Sequence, residues 1–195
     1  MRYPLAVLTC LALSSPGALA AAADPPAGHY AAWIGKEAPA FRLTSVDGKE
    51  VALSDYRGKL VVLHFGASWC PFCNAEAPHL ESLSKSYADK GVQVLVVDVG
   101  ESKKKVRKWT AKNGITFPVL LDVDGKAARA WAPADAQPDL ARDQVVLASN
   151  AIVDRDGKLA FFSLLDSTRF DARLVSLRAR LDELLLDEAR PSPSP

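Results

Sequence analysis

Leu60-Val61-Val62-Leu63-His64-Phe65-Gly66-Ala67-Ser68-Trp69-Cys70-Pro71-Phe72-Cys73 is the stretch that decides how this chain folds and what chemistry it carries. Its first six residues are an almost unbroken apolar run, the pattern of a strand covered on both faces. From Asn74 to Lys90 the spacing is helical. Leu80, Leu83 and Tyr87 mark the buried stripe and Gly91 the stop. A Cys-x-x-Cys pair at a strand-to-helix junction is the arrangement of a dithiol/disulfide redox centre. Cys70 falls at the helix N-terminus, where unpaired N–H groups and the positive dipole end favour thiolate. Cys73 lies three residues on, on the same face, and can attack a mixed disulfide formed by Cys70.

The 195 residues suffice for one domain with a real core. A hydrophobic content of 49% and a charged content of 24% are those of an ordinary globular protein. The N-terminus reads as a secretory signal peptide, residues 1–20. Met1-Arg2 is basic, Leu5 to Leu13 is mostly apolar, and Ala18-Leu19-Ala20 is a small-x-small cleavage site. The run is too short and too interrupted to span a membrane. Lipidation at Cys10 is discounted, because Thr9 is large for the residue before a lipidated cysteine. The expectation is therefore a periplasmic or otherwise exported protein. Cleavage leaves 23 basic residues against 23 acidic ones, so charge offers no case for nucleic acid or an anionic membrane. Cys10 leaves with the signal. An exported chain whose remaining cysteines are one Cys-x-x-Cys pair is a redox protein before it is a stapled scaffold.

Residues 21–32 read as a Pro/Gly-containing linker, 33–187 as the domain, and 188–195 as a disordered tail. Phe41-Arg42-Leu43 and Val51-Ala52-Leu53 flank Asp47-Gly48 and predict a hairpin. Val92–Val99 is an apolar strand. Ser102 caps a helix to about Lys112, and Phe117–Leu121 is a strand. A short helix near Lys126–Trp131 precedes a Pro-containing insertion, Ala132–Asp143. Strands over Gln144–Val153 and Lys158–Leu164 flank the turn Asp154-Arg155-Asp156-Gly157. Thr168-x-x-Asp171 predicts the start of the last helix, with Phe170, Leu174, Leu177, Leu181 and Leu184 inward. The order is ββ, then β-α-β-α-β-α-β-β-α. The fold class is α/β, one mixed sheet with helices on both faces.

This order, with Trp-Cys-Pro-x-Cys after the first long strand, resembles the thioredoxin fold with an N-terminal β-hairpin extension. More narrowly it resembles exported thiol:disulfide oxidoreductases of the TlpA/ResA type. The resemblance covers roughly Ile34 to Leu186. Ile34-Gly35-x-x-Ala38-Pro39-x-Phe41, Leu53-Ser54-Asp55-x-x-Gly58-Lys59 and Glu76-x-Pro78-x-Leu80 carry it. So do Phe117-Pro118-Val119-Leu120 and Val153-Asp154-x-Asp156-Gly157-Lys158. It implies Cys70 as an exposed nucleophile and Cys73 as the buried resolving thiol. Trp69, Pro71 and Phe72 would shape the substrate surface. Glu76 matches a family glutamate that tunes the dithiol and assists proton transfer. Protein thiols and disulfides would be the substrates, with a membrane or exported electron donor and no cofactor.

Two positions depart from the pattern. Thioredoxins carry a buried aspartate six residues before the first cysteine, where this chain has His64. An imidazole can carry the same proton. Thioredoxin-like proteins also place a cis-proline before the fourth strand, against the dithiol. Here the stretch is Val146-Leu147-Ala148-Ser149-Asn150, and Ala148 is the nearest match, with Leu147 beside it in the substrate groove. A cis peptide before a non-proline residue costs about 3 kcal/mol, so a trans bond is expected.

Two other readings use the same dithiol. A peroxiredoxin-like peroxidase would carry Thr or Ser three residues before its cysteine and proline seven before it, where this chain has Ala67 and Leu63. A metal chaperone or redox-sensing module would need ligands. His29, His64 and His79 stand in no ligand-like spacing, so no metal is expected. The run Lys103-Lys104-Lys105-Val106-Arg107-Lys108 reads as a solvated helix face with Val106 and Trp109 inward, docking of an acidic partner being the alternative.

Overall fold

The computed structural model describes residues 30–189. The signal segment, linker residues 21–29 and tail residues 190–195 lie outside the described residues. Seven strands form one mixed sheet: β1 (Arg42–Ser45), β2 (Glu50–Ala52), β3 (Leu60–Gly66), β4 (Val92–Val99), β5 (Val119–Asp122), β6 (Ser149–Val153) and β7 (Leu159–Ser163). Their spatial order is β2-β1-β5-β4-β3-β6-β7. β3, β4 and β5 run parallel, joined by crossover helices, and the remaining pairings are antiparallel. The helices are α1 (Pro71–Tyr87), α2 (Lys103–Asn113), α3 (Lys126–Trp131) and α4 (Val175–Ala189). The element order is the expected one.

Strand alternation sorts the core into two layers. Val61, Leu63 and Phe65 of β3 join Leu95, Val97, Leu120, Trp131 and Phe162 on the α3 side. Leu60 and Val62 join Leu80, Leu83, Val94, Val106, Ile152 and Leu181 on the side of α1, α2 and α4. His64 and Gly66, two residues apart in phase with Leu60 and Val62, therefore face α1. Trp131 is fully buried in the core, and Trp33, half-buried, stacks on Phe162 at 5.4 Å. Asp122 is also buried, accepting hydrogen bonds from the N–H groups of Ala127 and Ala128 at the start of α3.

Several boundaries differ from expectation, each for a local reason. Helix α1 begins at Pro71 rather than Asn74, because proline's fixed φ suits the first helical position and costs no intrahelical bond. Its last turn tightens to 3₁₀ geometry over Ala88–Lys90, and Gly91 ends it at φ +74°. Tyr30, within the stretch expected to be linker, docks on β7: its N–H donates to Phe162 O at 2.7 Å. β6 starts at Ser149 and not Gln144, the preceding residues being turns. Ser102 stands at the N-cap of α2, but its hydroxyl makes no capping bond. The last helix begins at Val175, seven residues after Thr168. Asp166 takes both the N–H and the hydroxyl of Thr168 into a local turn, and Asp171 instead accepts from Ser176 N at 2.9 Å. Residues 164–174 thus form a strap between β7 and α4.

Candidate active site

Cys70 is the N-cap residue of α1, and its sulfur accepts a hydrogen bond from Cys73 N at 3.3 Å. Both cysteines are free thiols and both are buried, at 4% and 1% exposure. The expected exposure of Cys70 is not found. Leu147 and Leu165, partly buried themselves, pack with Phe72 against the Cys70–Cys73–Ala67–Ala148 cluster. Phe170 from the strap meets Phe72 edge-on at 4.8 Å. Trp69 is 62% exposed, Pro71 is exposed and Phe72 is half-buried. The Cys70 thiol is lowered to about 6, chiefly by the Cys73 thiol hydrogen-bonding to it and further by backbone N–H groups at the helix start, against the opposing effect of burial. Cys73 is pushed strongly upward, because it donates to Cys70 and is buried.

Ala148 occupies the proline position with a positive φ of +57°, and no peptide bond among the described residues is cis. A left-handed alanine costs about 1–2 kcal/mol. The conformation is held by the Ala148 N–H, which donates to Phe65 O at 2.8 Å and so extends the β3–β6 pairing. That N–H offers nothing to an incoming chain.

Behind Cys73 lies a buried polar triad. His64 pairs with Asn150 across the β3–β6 register, and Glu76 comes down from α1. His64 Nδ1 is 3.0 Å from Asn150 Oδ1 and 3.2 Å from Glu76 Oε2, while Asn150 Nδ2 donates to Glu76 Oε1 at 2.9 Å. With Asn150 so oriented, the network puts the imidazole hydrogen on Nδ1. His64 Nε2 has no hydrogen-bond partner. It points at the empty space above Gly66, where a Cβ would sit 2.8 Å from that nitrogen and 3.2 Å from the Cys73 sulfur. Only a glycine leaves the space that borders both the imidazole and the thiol open. Gly66→Ala should cost about 1–3 kcal/mol by overpacking and push the two groups apart. Urea midpoints would read the first effect, and the pH profile of Cys73 alkylation the second.

Burial is the largest influence on both ionisable members. It raises Glu76 to about 8, opposed by the Asn150 bond and reinforced by Cys70 and Asp171. It lowers His64 to about 4, opposed by the Asn150 bond. Both are therefore neutral near pH 7, and the pair avoids burying charge. Glu76 in the unfolded chain ionises near 4.5, so from about pH 5 to 8 the native state holds a proton the unfolded state has lost. Stability should fall as pH rises through that window. His64 acts oppositely, its contribution being lost as pH falls from about 6.5 toward 4. Glu76→Gln should flatten the slope between pH 5 and 8, as urea midpoints across pH would show. Asp98, raised to about 8 by burial and by neighbouring Glu101, adds a slope of the same sign, which the Cys70 thiol, lowered to about 6, opposes above that pH.

Three positions absent from the sequence-based site belong to it. Asn150 is the hinge of the triad, signalled only by an amide inside the apolar strand Ser149–Val153. Asn74 donates to Ser68 O and Cys70 O at 3.0 and 2.7 Å and accepts from Trp109 Nε1 at 2.8 Å, tying the cysteine loop to α2. Glu101 accepts from Ser68 N and, at 2.9 Å, from Ser68 Oγ. Of the expected residues, the structure gathers Cys70, Cys73, His64, Glu76, Phe72, Leu147 and Ala148 in one place, with Trp69 and Pro71 at its rim. His79 lies outside it, half-buried farther along α1.

Known proteins resemble this arrangement. The thiol-disulfide oxidoreductase ResA of Geobacillus thermodenitrificans is 34% identical over 126 residues, 65% of this chain and 66% of the relative. ResA of Geobacillus kaustophilus is 42% identical over 98 residues, 50% of this chain and 56% of the relative. The chain thus spans just under two thirds of the first relative's length and little over half of the second's. Among solved structures, a proposed protein disulfide isomerase from Bacteroides thetaiotaomicron superposes with a TM-score of 0.67 at 29% identity, over 82% of this chain and 94% of that one. The fold is thioredoxin-like. The profile described as the AhpC/TSA family matches residues 34–162, which include both cysteines, His64, Glu76, Ala148 and Asn150, and the chain belongs to that family.

Proposed function

We propose that this protein is an exported thiol:disulfide oxidoreductase that reduces protein disulfides through Cys70 and Cys73. The observation that carries the reading is the geometry of the pair: Cys70 caps α1 with its sulfur 3.3 Å from Cys73 N, and Cys73 follows within the first turn, an arrangement that favours thiolate at Cys70 and the protonated thiol at Cys73. Cys70 thiolate attacks one sulfur of a client disulfide. The client S–S bond breaks, its leaving sulfur takes a proton, and a mixed disulfide forms. Cys73 must then lose its proton to attack the Cys70 sulfur. Nε2 of neutral His64, which shares the space over Gly66 with the Cys73 sulfur, accepts that proton, while Nδ1–H is held by Asn150 Oδ1. The second client thiol departs, and the protein is left with a Cys70–Cys73 disulfide. Two electrons have moved to the client, and an exported or membrane electron donor restores the dithiol.

Trp69, Pro71 and Phe72 present the client-facing rim, with Leu147 and Ala148 behind it. Because Phe72, Leu147 and Leu165 pack against the Cys70 cluster, a folded client gains the sulfur only as this apolar cover shifts. The N-terminal signal-like segment supports export, and the confinement of the cysteines after residue 20 to this one pair supports a redox role.

Equilibration in glutathione or dithiothreitol buffers tests the reading. A reversible two-electron couple near about −270 mV is expected of a reductant, and one near about −120 mV would mean an oxidant. No reversible couple, or rapid hydrogen-peroxide consumption by the reduced protein without disulfide reduction, would overturn it.

A further inference from the structure

Beside the dithiol an open groove of about 530 Å³ separates Trp69 from α2. One wall is Lys105, Lys108 and Lys112, spaced three and four residues apart and hence on one helix face. All three are exposed, and none forms an ion pair among the described residues. Facing them is Trp69, the most exposed aromatic side chain at the site. Trp109 lines the groove from below, and its bond to Asn74 makes groove and cysteine loop one piece. Glu101 is the one carboxylate among the lining residues, buried and occupied by Ser68. The lysine run was read from sequence as a solvated face. It is one, with Val106 and Trp109 inward, and part of that exposed face lines the groove: Lys105 and Lys108 join Lys112 there, whereas Lys103, Lys104 and Arg107 do not.

We infer that this groove docks an acidic polypeptide segment of the client, next to the sulfur that Cys70 attacks. The inference rests on the thiol–disulfide reading above. From Lys105 to Lys112 the helix face is about 10 Å long, at 1.5 Å per residue. An extended chain covers that in about three residues. The recognition element is therefore short: a few Asp or Glu residues near the client cysteine, with an apolar side chain laid on Trp69. A polypeptide fits better than a nucleic acid. The chain's net charge is only +1, so no broad field draws a long polyanion, and the chemistry beside the groove acts on sulfur. Rim charges of this kind act mainly on association rate and partner choice.

Anisotropy of a labelled, cysteine-free acidic peptide on the full chain reads docking without any redox step. Binding is expected at low salt, lost at high salt, and weakened about tenfold or more in K105E/K108E/K112E, the low end of what electrostatic steering supplies. Disulfide exchange with two cystine peptides, one flanked by acidic residues and one by neutral residues, should favour the acidic peptide about tenfold in wild type. That ratio should fall to one or below in the reversed variant. Equal binding of acidic and neutral peptides, or an oligonucleotide of matched charge binding as tightly, would overturn the inference. Brisk exchange with both peptides alike would also sink it, leaving the redox reading intact. Docking of the acidic peptide with no exchange at all would support the groove and overturn the redox reading instead.

Discussion

Cys70→Ser should bring the reduction of an insulin-type disulfide down to background, a loss of about three orders of magnitude or more. Nothing else in the described structure can replace the lost nucleophile, since Cys73 is buried and its thiol resists ionisation. Cys73→Ser should behave differently. Its Cys70 still attacks, but the mixed disulfide has no internal thiol to resolve it, and the protein should accumulate covalently joined to its clients. Non-reducing gels of both variants, each refolded and checked by circular dichroism, separate the two roles. Full-rate insulin reduction by the Cys70→Ser protein would end the assignment. Between these extremes, the rate of Cys70 alkylation should rise through about pH 6, where its thiol ionises.

The second large effect is expected at His64. His64→Phe should slow resolution of the mixed disulfide about a hundredfold, the low end of general acid–base contributions, while leaving its formation near normal. Stopped-flow mixing with a cystine peptide resolves the two phases. The substitution also strands the acceptor Oδ1 of buried Asn150, a structural cost of about 1–3 kcal/mol. His64→Asn keeps a donor toward Asn150 and Glu76 but has no nitrogen able to take a proton. If folded His64→Asn resolves the mixed disulfide as fast as wild type, His64 only positions its neighbours. A slow phase in both variants, with a changed pH profile, identifies it as the proton acceptor for Cys73.

Much of this is legible in the sequence. The apolar runs Leu60–Phe65 and Val92–Val99 have one reading, because only a strand buried on both faces is that uniformly apolar. Cys70 and Cys73 declare themselves by spacing and by the helix that follows. His64 was visible as a polar residue inside such a strand, at the position where thioredoxins keep an acid. Other features were not legible because they depend on what packs against them. Thr168-x-x-Asp171 has the form of a capping box, yet Asp166, two residues upstream, captures the threonine first. The strap that results carries Leu165, which packs against the dithiol cluster, and Phe170, which meets Phe72. Ala148 could be matched to the missing proline by counting back from Asp154-Arg155-Asp156-Gly157, but not its left-handed backbone.

The sequence by itself determined the order of elements, the redox-capable pair and its place at a helix start. These follow from periodicities of two and 3.6 and from backbone groups no more than four residues apart. Only the tertiary structure decided what the pair can do. Asn150 lies 86 residues from His64 along the chain, and the two meet only because β6 inserts antiparallel beside β3. Glu76 reaches them from a different layer. Lys112 becomes part of a groove only where α2 turns that face toward Trp69. Proton affinity follows from desolvation and from contacts of this long-range kind, so the acidity of Cys70, the resistance of Cys73 and the neutrality of His64 and Glu76 exist only in the folded chain.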